Sequence, residues 1–236
     1  MRPDQISVLF DLDGTLIDSS RDLARAANEM LSAMGRASVT LAEVEGWIGH
    51  GLPQLIHRCL TGSFDGVGSD QEFEQGIALF REAYLNTEFT ETRLLPGAQD
   101  LLQSLRNTGY GIGLVTNKDT IPTEAVLKQL ELRGFFDVLV CGDTLPVKKP
   151  HPEPLFHAIR VLGSRGAWMV GDSETDARSS HAAGIQFIVV EGGYGHSGRL
   201  EDLSGPPVMV LETLDSLLQA DGNPVEMLSN PRALSS

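Results

Sequence analysis

Apolar positions along this chain follow two rhythms. Short runs at Ile6 to Phe10, Gly111 to Thr116, Val138 to Cys141, Ala167 to Val170 and Phe187 to Val190 are apolar almost without interruption. Continuity of that kind, rather than alternation, marks strands covered on both faces. Between the later runs the period changes to that of a helix. One helical stretch follows Asp100 with Leu101, Leu102 and Leu105 inward and stops at Gly109; the next starts at Thr120 and Pro122, turns Val126, Leu127 and Leu130 inward, and is expected to close at Gly134. Strand-helix alternation predicts an α/β protein with a doubly wound, mostly parallel sheet.

The first and second strand-like runs are separated by far more chain than one crossover helix needs, and that span reads as helix throughout. From Ser20, a face of Leu23, Ala27, Met30, Leu31 and Met34 ends at Gly35; Thr40 with Glu43 and Ser69 with Glu72 have capping-box spacing, the latter followed by Phe73, Ile77, Phe80 and Tyr84. The expected organisation is a core domain made of 1–18 and 93–222, an inserted all-helical cap domain at 19–92, and a tail at 223–236 that lacks periodicity.

Composition narrows the function. A formal net charge of −14 disfavours nucleic-acid backbones and anionic membrane surfaces as partners, so any anionic substrate must be neutralised locally. No apolar run approaches the ~20 residues of a membrane span. The start MRPDQ lacks the pattern of a secretory signal, which leads to the expectation of a cytoplasmic protein. A monomer or homodimer is expected, with no residue pattern to choose between them. Cys59 and Cys141 stand in no metal-ligand spacing and read as small buried hydrophobes.

In a doubly wound sheet, the residues that carry chemistry lie where the strands end. The first run ends in Asp11 and Asp13, the second in Thr116 and Asn117, the third leads through Gly142 to Lys149, and the fourth ends in Gly171 and Asp172. Residues two apart in extended chain point the same way, so Asp11 and Asp13 are expected to face one point before Gly14 turns the chain. With Asp172 they would form an oxygen-rich site suited to Mg2+, and Lys149 and Thr116 could hold a phosphate. Taken singly, an Asp-x-Asp-Gly turn, a surface lysine or an acidic helix start is ordinary; their convergence at successive strand ends is not.

These residues resemble the motifs of the haloacid dehalogenase-like hydrolase superfamily: Phe10-Asp-Leu-Asp-Gly-Thr-Leu, Val115-Thr-Asn, Lys149-Pro and Val170-Gly-Asp-Ser-Glu-Thr-Asp. The resemblance implies a Rossmann-like core and a magnesium-dependent reaction through an aspartyl-phosphate. It implies Asp11 as nucleophile and Asp13 as acid-base residue that also lends its backbone carbonyl to the metal. Thr116 and Lys149 would bind the phosphoryl group, with Asn117 beside them, while Asp172 ligates Mg2+ and Asp176, one helical turn on, acts through water. The second aspartate favours phosphoryl transfer over dehalogenation, and the absence of lysine from 19–92 sets aside the Schiff-base phosphonate-cleaving relatives.

Within the superfamily, Trp47-Ile-Gly-His-Gly, Leu95-Pro-Gly, Val115-Thr-Asn-Lys and Gly142-Asp-Thr-Leu-Pro-Val-Lys-Lys-Pro-His-Pro are similar to the bacterial phosphoglycolate phosphatases. That likeness implies hydrolysis of 2-phosphoglycolate, a small phosphorylated metabolite, while Gly49, His50 and Gly51 read either as a plain helix-linking loop or as a loop that reads the substrate. His50 and Leu95 depart from it, standing where asparagine and tyrosine are expected. Rival readings are a phosphatase for another small sugar or nucleotide phosphate, a phosphomutase resembling β-phosphoglucomutase, and a non-catalytic binding module. The arginines Arg21, Arg25, Arg36, Arg58 and Arg81 are expected to form a mostly solvated face, with one reaching a substrate carboxylate. His57, His151, His157, His181 and His196 lack the spacing of a zinc site.

Overall fold

A computed structural model describes residues 6–191, 193–194 and 209–219. The expected tail at 223–236 and His196 lie outside them. Six parallel strands form the main sheet: β1 (Ile6–Phe10), β4 (Gly111–Val115), β5 (Val138–Val140), β6 (Gly166–Gly171), β7 (Gln186–Val190) and β8 (Met209–Leu211), in the order β5-β4-β1-β6-β7-β8. The earliest strand is therefore central, with the chain wound outward to both sides of it. That arrangement creates a switch point at the carboxyl end of β1, between β4 and β6, where ligands bind in such sheets.

Alternate residues of the strands serve opposite layers. Val8, Phe10, Ile112, Leu114 and Val170 join the cluster that contains Leu101, Leu102 and Leu105 of α5 (Ala98–Asn107) and Val126 and Leu127 of α6 (Thr120–Gln129). On the other face Leu9, Met169 and Val189 pack with Leu155 and Ala158 of α7 (Glu153–Leu162) and Ala177 of α8 (Glu174–Ala183). Burial on both faces is why the strands read as unbroken apolar runs. A short α9 (Asp215–Gln219) ends the described chain.

The part of the long span before β4 that lies within 19–92 holds four helices: α1 (Ser20–Ala33), α2 (Leu41–Glu45), α3 (Leu52–Thr61) and α4 (Asp70–Asn86). Leu23, Ala27, Met30, Ile56 and Phe80 bury their side chains in the same cluster as Phe10 and Leu12, so the apolar interior is continuous from sheet to helices. A two-stranded antiparallel ribbon, β2 (Ile17–Asp18) with β3 (Arg93–Leu94), ties the chain together where it leaves for these helices and where it returns.

Two local expectations need correction. The helix expected to run to Gly134 ends at Gln129; Glu131 takes a positive φ of 58° and a 3-10 turn, Arg133–Phe135, follows. Burial of Leu132 rewards the early stop, because the turn folds that side chain into the core. Arg58, expected on a solvated face, is buried: its guanidinium donates to the carbonyls of Phe64 (2.9 Å) and Trp47 (2.9 Å) and lies 3.7 Å from the Phe64 ring centre.

Candidate active site

The residue after each central strand continues the parallel pairing and thereby aims its side chain. The Asp11 amide donates to Val170 O and that of Thr116 to Val140 O, both at 2.9 Å, so the polar residues leave the sheet from fixed positions. After Asp13 the chain doubles back, with Gly14 N donating to Ile17 O at 2.8 Å. Gly14 has φ +87° and so little space that a Cβ there would lie 2.3 Å from Asp172 Oδ2. Glycine meets both demands at once. Thr15 then donates to Asp172 Oδ1 at 3.0 Å, and the Tyr194 amide donates to Asp172 Oδ2 at 2.9 Å.

Asp11, Asp172 and Asp176 are all buried, and one carboxylate oxygen from each lies within 4.8 Å of the other two. Lys149 inserts its ammonium between two of them, 3.0 Å from Asp11 and 2.6 Å from Asp176. Burial disfavours charge on that lysine, but Asp11 and Asp176 outweigh it and hold its pKa above the ordinary value. Burial first, and the charge of Asp176 second, push the Asp11 carboxyl up to about 7 in spite of Lys149. The cluster brings hard carboxylate oxygens from three residues close together. Such a set fits a divalent cation such as Mg2+.

Asp11 and Asp13 face the same cavity, but the Asp13 carboxylate stands outside the acidic cluster that Asp11 forms with Asp172. The Asp13 carboxylate has a set of partners of its own. It receives hydrogen bonds from Lys118 Nζ at 2.9 and 3.0 Å and from Ser19 Oγ at 2.5 Å. Asp176 takes the third place in the acidic cluster. It also closes the start of α8, accepting from Ser173 Oγ at 2.5 Å while Ser173 Oγ accepts from its amide at 3.3 Å.

A cavity of about 380 Å3 opens beside this cluster, between the core and the four helices, lined by Asp11, Asp13, Thr116 and Asn117 on the core side. Gly49 and Gly51 also reach its wall, and Asn117 Nδ2 ties that loop down, donating to Gly49 O (3.3 Å) and Lys149 O (3.0 Å). His50 is not brought to the cavity wall. Its ring packs edge-on against Phe64 with Nδ1 3.3 Å from Arg58, and burial together with the Arg58 charge lowers its pKa. Sequence reasoning also passed over Lys118. It is buried against Asp13 and bonds the Tyr84 hydroxyl of α4 at 2.8 Å, joining core to helices. Its place directly after Thr116 and Asn117 was the available signal.

A haloacid dehalogenase-like hydrolase family model matches residues 8–190. The chain belongs to that family. Among relatives of this haloacid dehalogenase-like hydrolase, a phosphoglycolate phosphatase of Nitrosospira multiformis is 38% identical over 199 residues, covering 84% of this chain and 88% of the relative. A phosphoglycolate phosphatase of Pseudomonas putida is 39% identical over 220 residues, or 92% and 80% of the two chains. A crystal structure of a predicted phosphoglycolate phosphatase from Haemophilus somnus superposes with a TM-score of 0.82 at 27% identity, over 91% of this chain and 97% of that one. Among the described residues no helix is long and apolar enough to cross a membrane.

Proposed function

We propose that this hydrolase cleaves small phosphomonoesters through an aspartyl-phosphate at Asp11, and that 2-phosphoglycolate is among its substrates. The carrying observation is the buried cluster in which Asp11 lies 3.0 Å from Lys149 beside Asp172 and Asp176. The substrate rests on the relatives, which are phosphoglycolate phosphatases over most of their length. The segment 19–92 acts as a cap over a core of 1–18 and 93–222; the β2-β3 ribbon, which brings its two ends together, supports that division. The protein works in the cytoplasm as a monomer or homodimer.

Asp11 and Asp172, with the backbone carbonyl of Asp13, would hold Mg2+, and Asp176 would support them from behind. When bound, the cation supplies positive charge that offsets the repulsion between a carboxylate and a phosphate dianion. Lys149 and the Thr116 hydroxyl orient the phosphoryl oxygens. Asp11 attacks phosphorus as the alcohol departs, and Asp13 gives that alcohol its proton. The same carboxylate then takes a proton from the water that hydrolyses the acyl phosphate, which restores both side chains. Gly49 and Gly51 border the alcohol. His50 acts on that loop through Arg58.

The test is Asp11→Asn. An amide is a very poor nucleophile, so phosphate release from 2-phosphoglycolate in Mg2+ should fall by at least about 10³-fold while circular dichroism and thermal denaturation stay close to the parent. Near-normal release from that variant would show the covalent route to be wrong.

A further inference from the structure

Under the proposed function the cavity takes the phosphoryl end at Asp11 and Thr116 and, beyond it, has more apolar wall than a two-carbon acid would cover. At about 380 Å3 it has room on the order of a dozen waters, whereas an apolar cavity of about 150 Å3 is enough to take up benzene. Leu23 of α1, Leu52 and Leu55 of α3, Phe80 and Leu85 of α4, and Ile121 of α6 supply its walls. Among the described residues two cations reach the wall, and both have acidic partners: Lys118 with Asp13, and Arg81 with Asp119 at 3.0 Å. A wall of this kind offers a carboxylate little and a hydrocarbon much. Leu85 and Ile121 carry the apolar lining out to solvent, being 41% and 68% exposed, which fits a site whose occupant extends toward the mouth.

We infer that the enzyme also hydrolyses phosphomonoesters whose alcohol bears an apolar body of roughly six to ten carbons, seated among α1, α3, α4 and α6 with the phosphoryl group at Asp11. The inference rests on the phosphatase reading and adds the class of alcohol. The chemistry is unchanged. The P–O bond to the alcohol breaks and its electron pair goes to the alcohol oxygen, which takes a proton from Asp13. A bond from Asp11 to phosphorus forms. Water then cleaves it to inorganic phosphate and returns a proton to Asp13.

Unbranched alkyl phosphates from propyl to hexyl test this, because their leaving alcohols have nearly the same basicity and differ only in apolar length. With Mg2+ present, kcat/KM should rise roughly threefold per methylene, or about 30-fold across the series. Titration calorimetry with the matching alkylphosphonates, which cannot be hydrolysed, should show dissociation constants falling in parallel. Leu85→Glu and Ile121→Glu, both at the exposed rim where folding is least affected, should flatten the two trends. Flat or falling trends in both measurements, with phosphate still released from 2-phosphoglycolate, overturn the inference. Phosphonate affinity that climbs with length while no ester releases phosphate overturns the phosphatase reading and leaves the cavity assignment in place. Failure of both measurements overturns both.

Discussion

The two sides of the candidate site are built on opposite principles. Around Asp11 the wall is dense with charge: the buried Asp11, Asp172, Asp176 and Lys149 are placed by the ends of β1 and β6, the first turn of α8 and the loop after β5. Across the cavity, α1, α3 and α4 present leucines and aromatics, and the cation nearest Asp13, Lys118, is spent on an ion pair. The first region can bind and polarise only one kind of group. The second discriminates by volume and hydrophobicity, which is a weaker filter of roughly a few-fold per carbon. Under the proposed function, the core sets the reaction type and the helices set the substrate range.

The sharpest way to break that division is to compare leaving groups. Asp13→Asn should slow release from propyl phosphate by about 10²–10⁴-fold, the usual worth of a positioned acid-base group, but slow 4-nitrophenyl phosphate far less, since nitrophenolate departs without a proton. Equal losses on both, read as kcat/KM, would remove Asp13 from that role.

A second comparison weighs buried against exposed charge. Lys118→Met leaves the Asp13 carboxylate unpaired at a site where the two side chains are 7% and 13% exposed, so unfolding free energy should drop by about 3 kcal/mol. Arg81→Ala breaks a pair whose arginine is 57% exposed and should cost about 0–1 kcal/mol. Urea titrations of both variants measure the contrast, and similar midpoints would show that the core-to-helix contact at Lys118 contributes little.

The smallest expected effect is a pH-dependent response to metal. Without a cation the Asp11 pKa stands at about 7 against an ordinary 3.8, so the folded state keeps a proton that the unfolded state has lost. Stability of the metal-free protein therefore declines as pH rises from about 4 through 7, and the ionised carboxylate burdens the fold above that. Mg2+ needs that ionised form. Adding it should raise the melting temperature by several degrees at pH 8 and by clearly less at pH 5.5. Equal shifts at the two pH values would place the cation away from Asp11.

Much of this arrangement could be read along the chain because it is local. Strands buried on both faces must be continuously apolar, so the polar residue that ends each run stands out: Asp11, Thr116 and Asp172 were visible for that reason, and Lys149 by the loop that follows the third run. Capping at Thr40 and Glu43 was equally legible, since both partners lie within one turn. The β2-β3 ribbon was not, having two residues per strand and partners more than seventy positions apart. Nor was β8, a three-residue strand in the last part of the described chain.

What the sequence by itself determined is the α/β alternation, the helical insertion after the first strand, and which polar groups stand at the strand ends. Those follow from periodicity, which needs only near neighbours. Only the tertiary structure decided which charges meet. Asp11 and Asp13 are two residues apart, yet one faces Lys149 and the other Lys118. Asp176 entered the acidic cluster through the packing of α8, and Arg58 left the surface through contacts with Phe64 and Trp47. Pairing of charges depends on distances between remote segments, and those are set by how the layers pack rather than by spacing in the chain.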